Sequence, residues 1–187
     1  MTERPLANSR FLAFYRGTET DHCDRTREEI VGWDNDRLEQ VHDFIQWLFP
    51  LEEPSPVNPS APVLTPADRL AFRQEPALRE RLLESLDRML AFYGFERHVA
   101  AHGVAIRKAA DWAARSALWL HRQNHNHLRI TRILKSLMLL GAVEEAAAFY
   151  RVLEDVYRSN RSKISAETMH FWTDAVTAEQ TKALRGF

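Results

Sequence analysis

Cysteine is nearly missing from this chain. Cys23 is the only one in 187 residues, so no internal disulfide can form and nothing calls for an oxidising compartment. Glycine is scarce too, six residues at isolated positions, which excludes the glycine-rich loops that cradle phosphates. No apolar run is long enough to span a bilayer; the apolar-rich stretch Ile130–Val143 carries Arg132 and Lys135. Met1-Thr2-Glu3-Arg4-Pro5 lacks the apolar core of a secretion signal, and the expectation is a cytoplasmic protein. Alternating β-branched runs are almost absent, which argues against strands. What remains is a chain 45% hydrophobic and 27% charged, of a length that suits one globular domain over residues 1–187.

The net charge of −1 excludes a uniformly basic nucleic-acid binder, but it hides a segregation. Between Glu19 and Glu53 there are eleven acids and three bases; between Arg97 and Lys135 there are eight bases and one acid. From Trp112 to Val143 there is no acid at all.

Helical spacing of apolar residues dominates, and the fold class is read as all-α, a bundle of about six to eight helices. Asp34 or Asn35 caps a helix running to about Trp47, with Leu38, Val41, Ile45 and Leu48 on one face. Five of the eight prolines fall between Pro50 and Pro62, so residues 50–66 are an extended connector. Thr65-Pro66-Ala67-Asp68 and Pro76 are helix starts, and Gly94 ends the helix that begins at Pro76. Further helices are expected over Ile106–Arg122, Leu128–Leu140 (ended by Gly141), Val143–Tyr157 and Ala166–Ala178 (capped by Ser165). The apolar run Phe11–Tyr15 is too short to assign.

The segment His121–Arg132 is the most informative. Asn124 or Asn126 caps the helix that follows, yet its first turns hold His127, Arg129 and Arg132 where acids are expected. Either the acids of Glu19–Glu53 neutralise this cluster, or it awaits an external anion. The candidate ligand-binding residues are therefore Arg122, Asn124, His125, Asn126, Arg129, Arg132 and Lys135, with Glu39, His42, Gln46 and Trp47 as secondary candidates. The aromatic run Phe44–Phe49 reads as core rather than as a partner-binding patch.

Other chemistry finds little support. His121 and His125 are four apart, as are His98 and His102, but neither pair has an accompanying acid or cysteine set, and no metal site is expected. Cys23 follows His22, an adjacency that by itself fixes no geometry, and the acids Asp21, Asp24, Glu28 and Glu29 read as solvated charge. No nucleophile elbow or cofactor motif is present, so no catalytic residue and no cofactor are assigned. A helix-turn-helix reading pairs Ile106–Arg122 with Leu128–Leu140, but the acidic N-terminal third opposes nucleic acid.

The run Leu38-Glu39-x-x-His42-x-x-Ile45-Gln46-Trp47-Leu48-Phe49-Pro50, then Phe92-Tyr93-Gly94, then His125-Asn126-His127-Leu128-Arg129-Ile130-Thr131-Arg132-Ile133-Leu134-Lys135-Ser136-Leu137 resembles the conserved domain of the opioid growth factor receptor family. The resemblance extends from about Phe11 to the last helices, and His127 stands where vertebrate members carry Asn. It implies a single-domain relative of receptors for an enkephalin peptide that lack an ordinary transmembrane span, without the polar C-terminal repeats and with no known catalytic activity. The functional expectation is a non-enzymatic ligand-binding or regulatory domain taking a peptide or anionic ligand through residues 121–135. The alternatives are an enzyme acting on a phosphorylated or other anionic small molecule through His125 or His121, and a nucleic-acid-binding helical domain.

Overall fold

The computed structural model describes residues 9–101 and 103–185. Its elements run α1 (Arg10–Arg16), α2 (Arg27–Val31), α3 (Asn35–Gln40), α4 (Ile45–Leu48), α5 (Pro66–Gln74), α6 (Pro76–Tyr93), β1 (Phe95–Ala100), β2 (Gly103–Lys108), α7 (Trp112–Trp119), α8 (His125–Leu139), α9 (Val143–Ser159) and α10 (Ala166–Arg185). Backbone contacts gather the described residues into two compact units, one up to Ser85 and one from Leu86 onward, with the division inside α6.

In the first unit, short helices surround an aromatic core. Phe11 stacks on Phe72, Phe14 meets Trp47 edge-on, and Trp33 meets Phe44 in the same way. The Tyr15 hydroxyl donates to the Leu48 carbonyl at 2.5 Å, which satisfies the polar tip of an otherwise apolar cluster. Trp47 is 1% exposed, so the aromatic run 44–49 is core, as its composition suggested. The expected helix from Asn35 to Trp47 is broken: Val41 is extended (ψ 131°), α3 stops at Gln40, and the chain restarts at Ile45. Helical spacing of Leu38, Val41, Ile45 and Leu48 cannot reveal this, because both short helices bury the same kind of side chain. The proline-rich connector turns back on itself. The Leu64 N–H donates to the Leu51 carbonyl at 2.8 Å, and Leu51 bridges Val63 in parallel. Thr65 and Asp68 then form a reciprocal capping box with Pro66 in the first turn, as the sequence signal requires.

The second unit departs from an all-α fold. The helix expected over Ile106–Arg122 is confined to Trp112–Trp119; its first three residues belong instead to β2, which pairs antiparallel with β1 from Phe95↔Lys108 to Ala100↔Gly103. Among the described residues this hairpin accompanies ten helices rather than six to eight. Its strands bury little beyond Phe95 and Ile106, so their pattern lacks the alternation that marks a half-buried strand. The hairpin follows from Gly94, whose φ of 85° ends α6 in the left-handed region, and whose carbonyl accepts from Ala109 N–H at 2.9 Å. β2 packs on α9, while α8 packs against α9 and α10. Gly141, at φ 87°, ends α8, and Ser165 caps α10 through the Thr168 N–H at 3.0 Å. Among the described residues, no helix is long and apolar enough to cross a membrane.

Candidate functional site

The start of α8 is built by Asn124. Its side-chain oxygen accepts from Asn126 N–H at 2.8 Å, which caps the helix. Its amide nitrogen donates to the Leu118 carbonyl at 3.1 Å and to His121 Nε2 at 2.7 Å. One buried amide thereby ties the end of α7 to the start of α8. Helical periodicity then sends Ile130, Ile133, Leu134 and Leu137 into the core, all fully buried.

The same rotation decides the fate of the cations. Arg129 is only 5% exposed, and its Nη1 donates to Asn126 Oδ1 at 3.3 Å. The sequence placed Arg129 on the border of the apolar face, where a ligand or a nucleic-acid groove could reach it; burial removes it from any such surface. Asn126 is fully buried, His125 and Arg132 are half-buried, and Lys135 is exposed. Arg122 is exposed and donates through Nε to the Ser162 carbonyl at 2.9 Å. The seven residues are therefore divided between interior and surface and do not form one patch.

His127 has a structural role. Its ring lies edge-on between Trp119 (6.2 Å) and Trp172 (5.8 Å). Nε2 lies 3.1 Å from the Trp119 carbonyl, which only accepts, so Nε2 carries the proton. The His127 carbonyl accepts from Trp172 Nε1 at 3.2 Å. Burial pushes the imidazole below its ordinary value, and His121 and His125 add to the shift. The unfolded chain thus takes up this proton at higher pH than the folded one. The stability His127 contributes is fully present above about pH 6.5, the unfolded value, and is lost as pH falls toward the folded one. Urea midpoints measured from about pH 7.5 down to pH 5 should fall more steeply in the native chain than in His127→Gln, which keeps a donor but cannot titrate.

Where the structure does open is one turn away. A cleft of about 710 Å³ lies at the N-terminal ends of α8 and α10, lined by Arg122, Asn124, Leu128, Arg161, Glu167 and Phe171 among others. Two helix starts give its floor partial positive charge, and two arginines outnumber the glutamate among its lining residues. Leu128 is 69% and Phe171 44% exposed, an apolar rim beside the cationic floor. Sequence reasoning missed Arg161 and Phe171, which lie 26 and 36 residues beyond Lys135, the end of the segment it singled out; only the packing of α10 on α8 brings them there.

The profile of the opioid growth factor receptor conserved region matches residues 6–186. The chain belongs to the opioid growth factor receptor family. Within the family it is 44% identical over 128 residues to the opioid growth factor receptor of Rattus norvegicus, covering 66% of this chain and 21% of that protein. The Homo sapiens receptor is 43% identical over 117 residues (61% of this chain, 17% of that one). The opioid growth factor receptor-like protein 1 of Mus musculus is 40% identical over 117 residues, 61% of this chain and 24% of its own. The chain thus spans about a fifth of the length of these family members. No solved structure matches it.

The secondary candidates lie in the other unit of the family domain. Gln46 and Trp47 are buried, Glu39 is half-buried, and His42 is exposed on a cleft of about 350 Å³ with Arg25, Val41, Asp43 and Val57. At least six of the eleven acids of residues 19–53 are engaged inside that unit. Asp21 and Asp43 pair with Arg25 at 2.6 and 2.9 Å, Glu28 with Arg27 at 3.1 Å, and Glu52 with Arg69 at 2.6 Å. Glu29 and Asp34 serve helix caps. Of the histidine pairs considered for a metal, His102 lies outside the described residues. Among those described, the group of three donors close enough to share an ion is His22, Cys23 and Asp43, which no sequence motif marked.

Proposed function

We propose that this chain is a receptor-type binding domain that takes the carboxylate-bearing end of a peptide into the cleft between the starts of α8 and α10. The observation that carries this reading is the pairing of Arg122 and Arg161 with the exposed Leu128 and Phe171 around one cavity of about 710 Å³. A guanidinium holds a carboxylate through charge-assisted hydrogen bonds, and helix starts add positive potential. The apolar rim accepts a hydrophobic side chain next to that carboxylate, which inorganic anions cannot supply. The name of the family's receptors, which designates a growth factor as what they receive, supports a peptide over a small anion. Of the residues singled out in the sequence, Arg122 contacts the ligand in this reading, Asn124 shapes the floor, and Arg129 supports the helix from inside.

Titration calorimetry with an enkephalin peptide, as the free acid and as its C-terminal amide, tests the reading. The acid binds saturably and the amide at least about tenfold more weakly, the worth of one lost charge-assisted hydrogen bond. Arg122→Glu and Arg161→Glu each weaken the acid by a similar factor, with melting temperatures nearly unchanged because both side chains are exposed. Equal binding of acid and amide, or full affinity in the double variant, overturns it.

A further inference from the structure

His22 and Cys23 sit on a loop closed by a buried carboxylate. Asp21 Oδ1 accepts from Cys23 N–H at 2.8 Å and Arg25 N–H at 3.0 Å, and Asp21 N–H donates to the Arg25 carbonyl at 2.9 Å. Asp24 completes the turn at φ 57°. The His22 ring lies parallel to Trp47, at 6.1 Å and 5°, which fixes its plane. Asp43 approaches from the break between α3 and α4. It is held by Arg25 Nη1 on Oδ1 at 2.9 Å, and its carbonyl by Asn58 Nδ2 at 2.9 Å. The other carboxylate oxygen, Oδ2, lies 3.3 Å from His22 Nε2 and 3.6 Å from Cys23 Sγ.

These are the separations that donors take around one small cation. Zinc bonds of about 2.0–2.3 Å to nitrogen, oxygen and sulfur, arranged tetrahedrally, place neighbouring donors about 3.3–3.6 Å apart. All three donor atoms lie within 4.8 Å of one another. We propose that His22, Cys23 and Asp43 form a zinc site with three protein ligands and a fourth position open to solvent. An imidazole, a thiolate and a carboxylate are a borderline-soft set, which favours zinc over magnesium or calcium. The charge balance fits a divalent ion. Arg25 bridges Asp21 and Asp43, a trio of net charge −1 that the Cys23 thiolate brings to −2, and the thiol proton goes to solvent on binding. Cys23 is exposed and Asp43 is partly so, which gives the ion a way in.

The untagged full chain, stripped with chelator, is titrated with zinc chloride against a chromophoric competitor and, separately, with cobalt(II). One zinc binds per chain, and cobalt(II) produces a thiolate-to-metal charge-transfer band in the near ultraviolet. Cys23→Ser abolishes that band and weakens zinc by at least about tenfold, since loss of an outer partner alone has that effect at other sites. His22→Gln weakens zinc similarly, whereas His125→Ala leaves it unchanged. Circular dichroism of Cys23→Ser verifies that the exposed substitution leaves the fold intact. Absence of stoichiometric zinc binding, or binding that survives both His22→Gln and Cys23→Ser, overturns the proposal. The peptide cleft lies elsewhere, so either result leaves the peptide experiment independent.

Discussion

Arg129→Glu is expected to lower the stability of the fold by about 3–5 kcal/mol, the range for disrupting a buried charge and its partners. Arg129 is 5% exposed and donates to Asn126 Oδ1, itself fully buried at the start of α8. A glutamate there sets a carboxylate against that amide oxygen, acceptor to acceptor, and must be desolvated as well. The opposing effect is small: an acid near the start of a helix gains about 0.3–1 kcal/mol from the helix dipole. Desolvation therefore wins. The control is Lys135→Glu, on the same helix but exposed, which should stay within about 0.5 kcal/mol of the native chain. Urea unfolding followed by circular dichroism measures both. An Arg129→Glu midpoint equal to the native one would mean that the guanidinium is not buried in solution.

Gly94→Ala should cost about 2–5 kcal/mol through two separate effects. Gly94 has a φ of 85°, where a Cβ clashes with its own backbone at a cost of roughly 1–2 kcal/mol. An added Cβ would also lie 2.8 Å from Arg115 Cβ and 3.1 Å from the Trp112 backbone Cα. Neither neighbour is the free end of a flexible side chain, so α7 must shift, an overpacking penalty of about 1–3 kcal/mol. Gly103→Ala separates the two, because its φ is 116° yet nothing lies within 4 Å of the new methyl. It should lose only the backbone part. Equal losses in the two variants would show that the close approach of α7 contributes nothing.

Helix ends were largely legible from the sequence because they depend on neighbouring residues. Thr65, Pro66 and Asp68 form their capping box within four residues, and Asn124, Gly141 and Ser165 each act within a single turn. The break at Val41 and the hairpin over 95–108 were not legible in that way. The first is hidden because the apolar spacing continues across it. The second buries so few side chains that no alternation is written into it. Within the candidate site, Asn124 was readable as one of two possible caps, and Arg122 as a candidate ligand-binding cation. The burial of Arg129 was not, since a border position on a helix is covered or open according to what packs against it.

By itself the sequence determined the mainly helical class, the segregation of acids from bases, and membership of a receptor family through motifs that are contiguous in the chain. Its apparent neutrality posed the question of whether the acidic stretch and the cationic stretch serve each other. Tertiary structure decided where charges go: Asp21 and Asp43 to Arg25, Glu52 to Arg69, Arg129 to the interior. It also decided which distant residues converge, setting Arg161 on one cleft with Arg122, and Asp43 beside His22 and Cys23. The physical reason is common to all of these. Periodicity and caps act over a turn or two of backbone, whereas desolvation and side-chain convergence depend on elements separated by twenty to forty residues, which only the folded core brings together.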